Sequence, residues 1–153
     1  MGHWLVGEAP NQATVGEPRL WLTPDGSGIP HAANRLLALT GWTQRQFLRI
    51  FDNRTNVWST PNHNLWAVEG RRRAKQIMRE STGSLGVVIL GAKAASAFGL
   101  GDDEPFIWFG RFAVVPHPSG RCGFWNHPGA NERAMAFFED VARREDEAAC
   151  SAR

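Results

Sequence analysis

Apolar positions along the chain fall into two kinds of run. His3-Trp-Leu-Val6, Leu85–Leu90 and Phe112–Val115 are short and continuously apolar, the pattern of strands buried on both faces. Between them apolar residues recur at helical spacing. Ala33, Leu36, Leu37 and Thr40 predict a helix over His31–Thr40, ended by Gly41. Thr43, with Gln46 as its capping-box partner, predicts a second helix to about Phe51. A turn cluster, Asp52–Asn56, then leads to a short strand near Val57-Trp58. Leu65, Val68, Ala74, Ile77 and Met78 give a core side to a helix over Leu65–Glu80. A short helix is expected over Lys93–Phe98. Ile107–Phe109 and Phe112–Val115 read as two strands joined by Gly110-Arg111. A last helix, Asn131–Ala148, has Asn131 as its cap and buries Ala134, Phe137, Phe138, Val141 and Ala142. Strands alternating with helices predict a three-layer α/β/α sandwich around a central, mainly parallel four-stranded sheet. The 153 residues make one domain, with a tail over 149–153 expected to fray.

Composition narrows the class. Hydrophobic content of 42% and charged content of 21% are those of a globular domain with a real core. The net charge is only +2, so any basic surface must come from clustering. Cys122 and Cys150 form no CxxC pair and read as reduced thiols in a cytoplasmic protein. They cannot by themselves supply a zinc or iron–sulfur site, and His3, His31 and His63 lack metal-ligand spacing; no metal or organic cofactor is expected. No apolar run approaches the roughly 20 residues of a membrane span, and the first residues lack the basic-then-apolar pattern of a secretory signal. Residues 11–30, rich in Gly and Pro, form a long irregular loop without a phosphate-binding glycine signature.

Candidate chemistry collects where strands end. His117 follows Phe112–Val115, held between Pro116 and Pro118. In open α/β sheets ligands bind outside the carboxyl ends of the strands, so an imidazole there is placed to act on a substrate. A turn histidine bonded only to backbone is the plainer alternative. Gly7-Glu8-Ala9-Pro10 follows the first strand, Thr55-Asn56-Val57 stands at the second, and Gly91-Ala92-Lys93 follows Leu90.

In this order, GEAP near the start, TN-V, LGAKAA and HPS resemble the motifs of the uracil-DNA glycosylase superfamily. The nearest likeness is to its GEAPG-type branch, and it spans about Val6 to Phe138. The resemblance implies a monofunctional enzyme that hydrolyses the N-glycosidic bond of a base flipped out of DNA, leaving an abasic site. His117 would donate a hydrogen bond to the carbonyl oxygen of the departing base, where negative charge develops. Asn56 would face the Watson–Crick edge, where an amide both donates and accepts. Gly7, Ala9, Pro10 and Asn11 would line the water and sugar, and Ile29 would stand where relatives stack an aromatic on the base. The chain departs from the pattern at four places. Ala9 replaces the acid or amide that positions water, which leaves Glu8 as the candidate. No acid follows until Glu17. Two cysteines replace the branch's four cluster ligands, so an iron–sulfur cluster should be absent. Ile29 in place of an aromatic suggests a pocket for a larger, modified pyrimidine of the kind found in phage DNA, and with it a defence role.

DNA contacts would come from Arg71, Arg72 and Arg73 on the third helix, from Lys93, and from Ser119, Gly120 and Arg121 after His117. Phe124 or Trp125 would be the apolar wedge that holds the gap in the base stack. A solvated helix face is the alternative for the arginines, and core packing for the two aromatics. The protein is expected to act as a monomer. Two other classes compete: a non-catalytic DNA-binding relative, kept open by Ala9, and a hydrolase of free nucleotides or nucleosides, which the basic helix and the aromatic loop disfavour.

Overall fold

The computed structural model describes residues 2–8, 31–58, 66–118 and 122–153. Five strands form one sheet in the order β2-β1-β3-β5-β4. They are β1 (His3–Gly7), β2 (Asn53–Asn56), β3 (Gly86–Leu90), β4 (Trp108–Phe109) and β5 (Phe112–Val115). β2, β1, β3 and β5 run parallel. The two-residue β4, within the expected strand Ile107–Phe109, pairs antiparallel with β5 at the edge and brings the sheet to five strands against the four expected. The second strand lies earlier than predicted. Polar Asn53-Arg-Thr-Asn56 takes the ladder, because β2 is an edge strand beside β1 and needs no continuous apolar run.

Helices cover both faces. They are α1 (His31–Thr40), α2 (Gln44–Ile50), α3 (Trp66–Glu80), α4 (Ala92–Ala97) and α5 (Ala130–Ser151). Leu36, Phe47, Ile50, Phe51, Ala134, Phe137, Phe138 and Val141 pack with Leu5, Val88, Leu90, Ala113 and Val115 on one face. Ile77, Ala94 and Ala95 pack with Val6, Val87, Ile89 and Val114 on the other. Successive residues of β1, β3 and β5 therefore point into opposite cores, which explains their runs of adjacent apolar residues.

Several local expectations hold. Thr43 accepts from Gln46 N while Gln46 Oε1 accepts from Thr43 N, at 3.2 and 2.8 Å, completing the capping box of α2. Others are corrected. α5 begins after Gly129 in the left-handed conformation, not at an Asn131 cap, and continues through Ser151. Val68 is 68% exposed rather than part of the core side of α3. Arg111 bonds Met78 O at 2.6 Å and Ser81 O at 2.7 Å, tying the end of α3 to the start of β5. Gly70, near its beginning, lies against the Trp58 indole just beyond β2. The helix thus runs antiparallel to the strands, with its first turns beside their carboxyl ends.

Candidate active site at the strand ends

Register brings four strand ends together. Gly7 pairs with Asn56, and the chain after β2 continues onto β1's extension through Val57 N to Gly7 O at 3.0 Å and Trp58 N to Glu8 O at 2.9 Å. Gly91 N bonds Val115 O at 2.8 Å, which sets the end of β3 beside Pro116-His117. Asn56, Glu8, Gly91 and His117 therefore leave four neighbouring parallel strands at one edge, where the macroscopic arrangement of such sheets places ligands.

Glu8 reaches across that edge. A Cβ built at Gly91 would stand 2.5 Å from Glu8 Oε1 and 3.3 Å from His117 Cβ. The carboxylate of β1 and the histidine of β5 thus approach each other over the glycine that ends β3. Gly91 has φ +94°, a conformation side chains rarely adopt, so backbone and space both demand glycine here. That close approach is the feature the sequence conceals. Its only sign is a glycine directly after five apolar strand residues.

Electrostatics matches the geometry. Burial pushes the His117 imidazole below its usual value; the Glu8 carboxylate opposes this, and Lys93, on the first turn of α4, reinforces it. The net direction favours the neutral ring, which offers one N–H donor and one acceptor. The Oδ1 atom of Asn56 is buried without a hydrogen-bond partner. A buried amide oxygen left open at a strand end is an acceptor awaiting a donor.

His117 is also fixed from behind. Trp125 lies in a 3₁₀ turn, Gly123–Asn126, and its indole N–H donates to His117 O at 2.8 Å. Trp125 is only 9% exposed, and Phe124 packs among Phe106, Trp125 and His127. Trp125 thus packs in the aromatic layer, and Phe124 beside it is half-buried. Among the basic residues of α3, Arg71 and Arg72 are exposed, as are Lys75 and Arg79. Arg73 instead turns inward and bonds Thr55 Oγ1 at 2.8 Å, so it braces β2 rather than facing solvent. Ala9, Pro10, Asn11, Ile29, Ser119, Gly120 and Arg121 lie outside the described residues.

Among the described residues no group of three or more His, Cys, Asp or Glu could hold a metal ion. None of their helices is long and apolar enough to cross a membrane. A shallow groove between Trp42 and the last turns of α5, where Arg143 pairs with Glu147, shares no residue with the strand-end cluster. No family model matches the chain, and no curated protein is significantly similar to it. The functional reading therefore stands on the site and on the motif resemblance.

Proposed function

We propose that this protein is a monofunctional DNA glycosylase that hydrolyses the N-glycosidic bond of a flipped-out pyrimidine and leaves an abasic site. The observation that carries the reading is the approach of Glu8 and His117 over Gly91, with Asn56 at the same sheet edge beside Gly7. Water adds to C1′ of the deoxyribose as the C1′–N bond breaks, and the bonding pair leaves with the base. Glu8 is the group available to take a proton from that water. The neutral His117 donates its N–H to the carbonyl oxygen on which the leaving base accumulates charge. Asn56 offers its open acceptor to the Watson–Crick edge and sets which base is held.

Arg71 and Arg72, on the α3 turns nearest this edge, supply phosphate contacts, with Lys93 on the neighbouring helix. In this reading the partner is DNA, the active unit is the monomer, and the protein works in the cytoplasm. The substrate we favour is a bulky modified pyrimidine of the kind carried by phage DNA, which makes the role one of defence. The test is base release. Oligonucleotides with uracil, hypoxanthine, or hydroxymethylated or glucosylated pyrimidines are incubated with the protein, and alkali reveals abasic sites. Release from one substrate class is expected; release from none would overturn the enzymatic reading.

A further inference from the structure

Arg35 stands out among the charged groups to which the reaction above gives no task. It lies in the first half of α1, is half-buried, and places its guanidinium over the Trp125 ring, 5.5 Å from the ring centroid. Its Nη1 is buried with no hydrogen-bond partner. A guanidinium carries five donors and cannot give up its charge, so a desolvated N–H without an acceptor is held in a costly state. Stacking on an indole fixes the plane of the group but accepts none of its hydrogen bonds.

What lies beneath the ring gives this position its meaning. The Trp125 N–H is bonded to His117 O at 2.8 Å, so Arg35 stands one indole away from the backbone of the histidine in the site. Lys93 is the cation whose charge acts on His117 itself. Arg35 differs from Arg71, Arg72 and Arg79 of α3, which are exposed. It is pre-oriented by a buried aromatic platform, the arrangement in which a planar guanidinium binds an oxyanion with the least loss of freedom.

We infer that Arg35 is an anion-binding residue for a phosphodiester of the DNA strand that carries the flipped nucleotide. The inference rests on the glycosylase reading for its partner and goes beyond it in assigning a residue outside the resembling motifs. Arg35 takes non-bridging phosphate oxygens, and Trp125 transmits the position of that phosphate to the His117 turn. The bound strand is then registered against the imidazole.

Equilibrium binding tests this without requiring turnover. Fluorescence anisotropy is measured for a duplex carrying a tetrahydrofuran abasic analogue, across a salt series, with wild type, Arg35→Gln and Arg35→Lys. Circular dichroism confirms that each variant is folded. Loss of one phosphate contact should reduce the slope of log K against log salt by about 0.9 in Arg35→Gln. Arg35→Lys, which keeps the charge without the planar stack, should keep the slope and bind more weakly. An unchanged slope and affinity in Arg35→Gln, while wild type binds DNA, would overturn the assignment and leave the glycosylase reading intact. Failure of wild type to bind any DNA would overturn both. A nucleoside 5′-monophosphate is titrated in parallel. If Arg35→Gln weakens its binding but leaves the DNA slope unchanged, the phosphate belongs to a free nucleotide and the assignment falls.

Discussion

At the scale of single residues, buried His3 and half-buried His117 show how position sets a histidine's surroundings. His117 ends a strand at the edge where the strand ends converge, whereas His3 begins β1 and is fully buried against Phe51 and Trp108. Both ring nitrogens of His3 lack partners, and burial first, then the charge of Arg144, lowers its pKa to about 4, with Asp52 and Asp140 opposing. In the unfolded chain His3 takes a proton near pH 6.5, so between that pH and about 4 the unfolded state binds more protons. Stability is therefore full above pH 6.5 and falls as pH drops toward 4, by about 3 kcal/mol from this residue. Chemical denaturation at pH 7.5 and 4.5 should show that loss in wild type and a smaller one in His3→Leu. For His117 the direction matters in another way. Removing the Lys93 charge in Lys93→Gln should raise the imidazole's pKa, read by NMR titration of its ring protons; a fall or no change would contradict the electrostatic arrangement. Gly91→Ala should cost base release about a hundredfold or more, because the new methyl takes the space of Glu8 Oε1.

Elements show where local rules suffice and where packing overrides them. The box of Thr43 and Gln46 is purely local, and α2 starts where those two residues place it. Thr43→Ala should destabilise the protein by about 1 kcal/mol in thermal or chemical unfolding. Gly70 is the opposite case. By propensity alone, alanine there should strengthen α3 by about 1 kcal/mol. Its Cβ would stand 2.9 Å from the Trp58 ring, so Gly70→Ala should instead lower the melting temperature by parting α3 from the segment after Asn56. Legibility in the sequence divides along this line. The apolar strands and the helices with regular stripes were readable because burial on both faces leaves no alternative composition. β2 was not, since an edge strand of Asn, Arg, Thr and Asn carries no apolar signal and is defined by its pairing with β1. For Trp125 the sequence leaves open a wedge or core packing, and for Arg73 a DNA contact or a solvated face; which way each points depends on partners distant in the chain, His117 O and Thr55 Oγ1. Asn56, Glu8 and His117 were legible as candidates because each follows or ends a strand. The approach of Glu8 and His117 over Gly91 was not, because it depends on the strand order.

For the whole molecule, the sheet order converts residues spread over more than a hundred positions into one edge, and α3 brings Arg71 and Arg72 to the same side. Arg71→Gln with Arg72→Gln should flatten the salt dependence of duplex binding by about two contacts' worth, a slope change near 1.8. Arg73→Gln should leave the slope unchanged, because that guanidinium is engaged with Thr55. The account depends most on the strand-end cluster acting as a catalytic centre. Base release from the panel of modified and unmodified oligonucleotides, run with wild type, His117→Ala and Asn56→Ala, addresses that claim directly. The account predicts abasic sites from one class of pyrimidine with wild type and a loss of about a hundredfold or more with His117→Ala. Asn56→Ala should lose the same substrate. Release that persists undiminished in both variants, or is absent from wild type on every substrate while DNA binding remains, would contradict it.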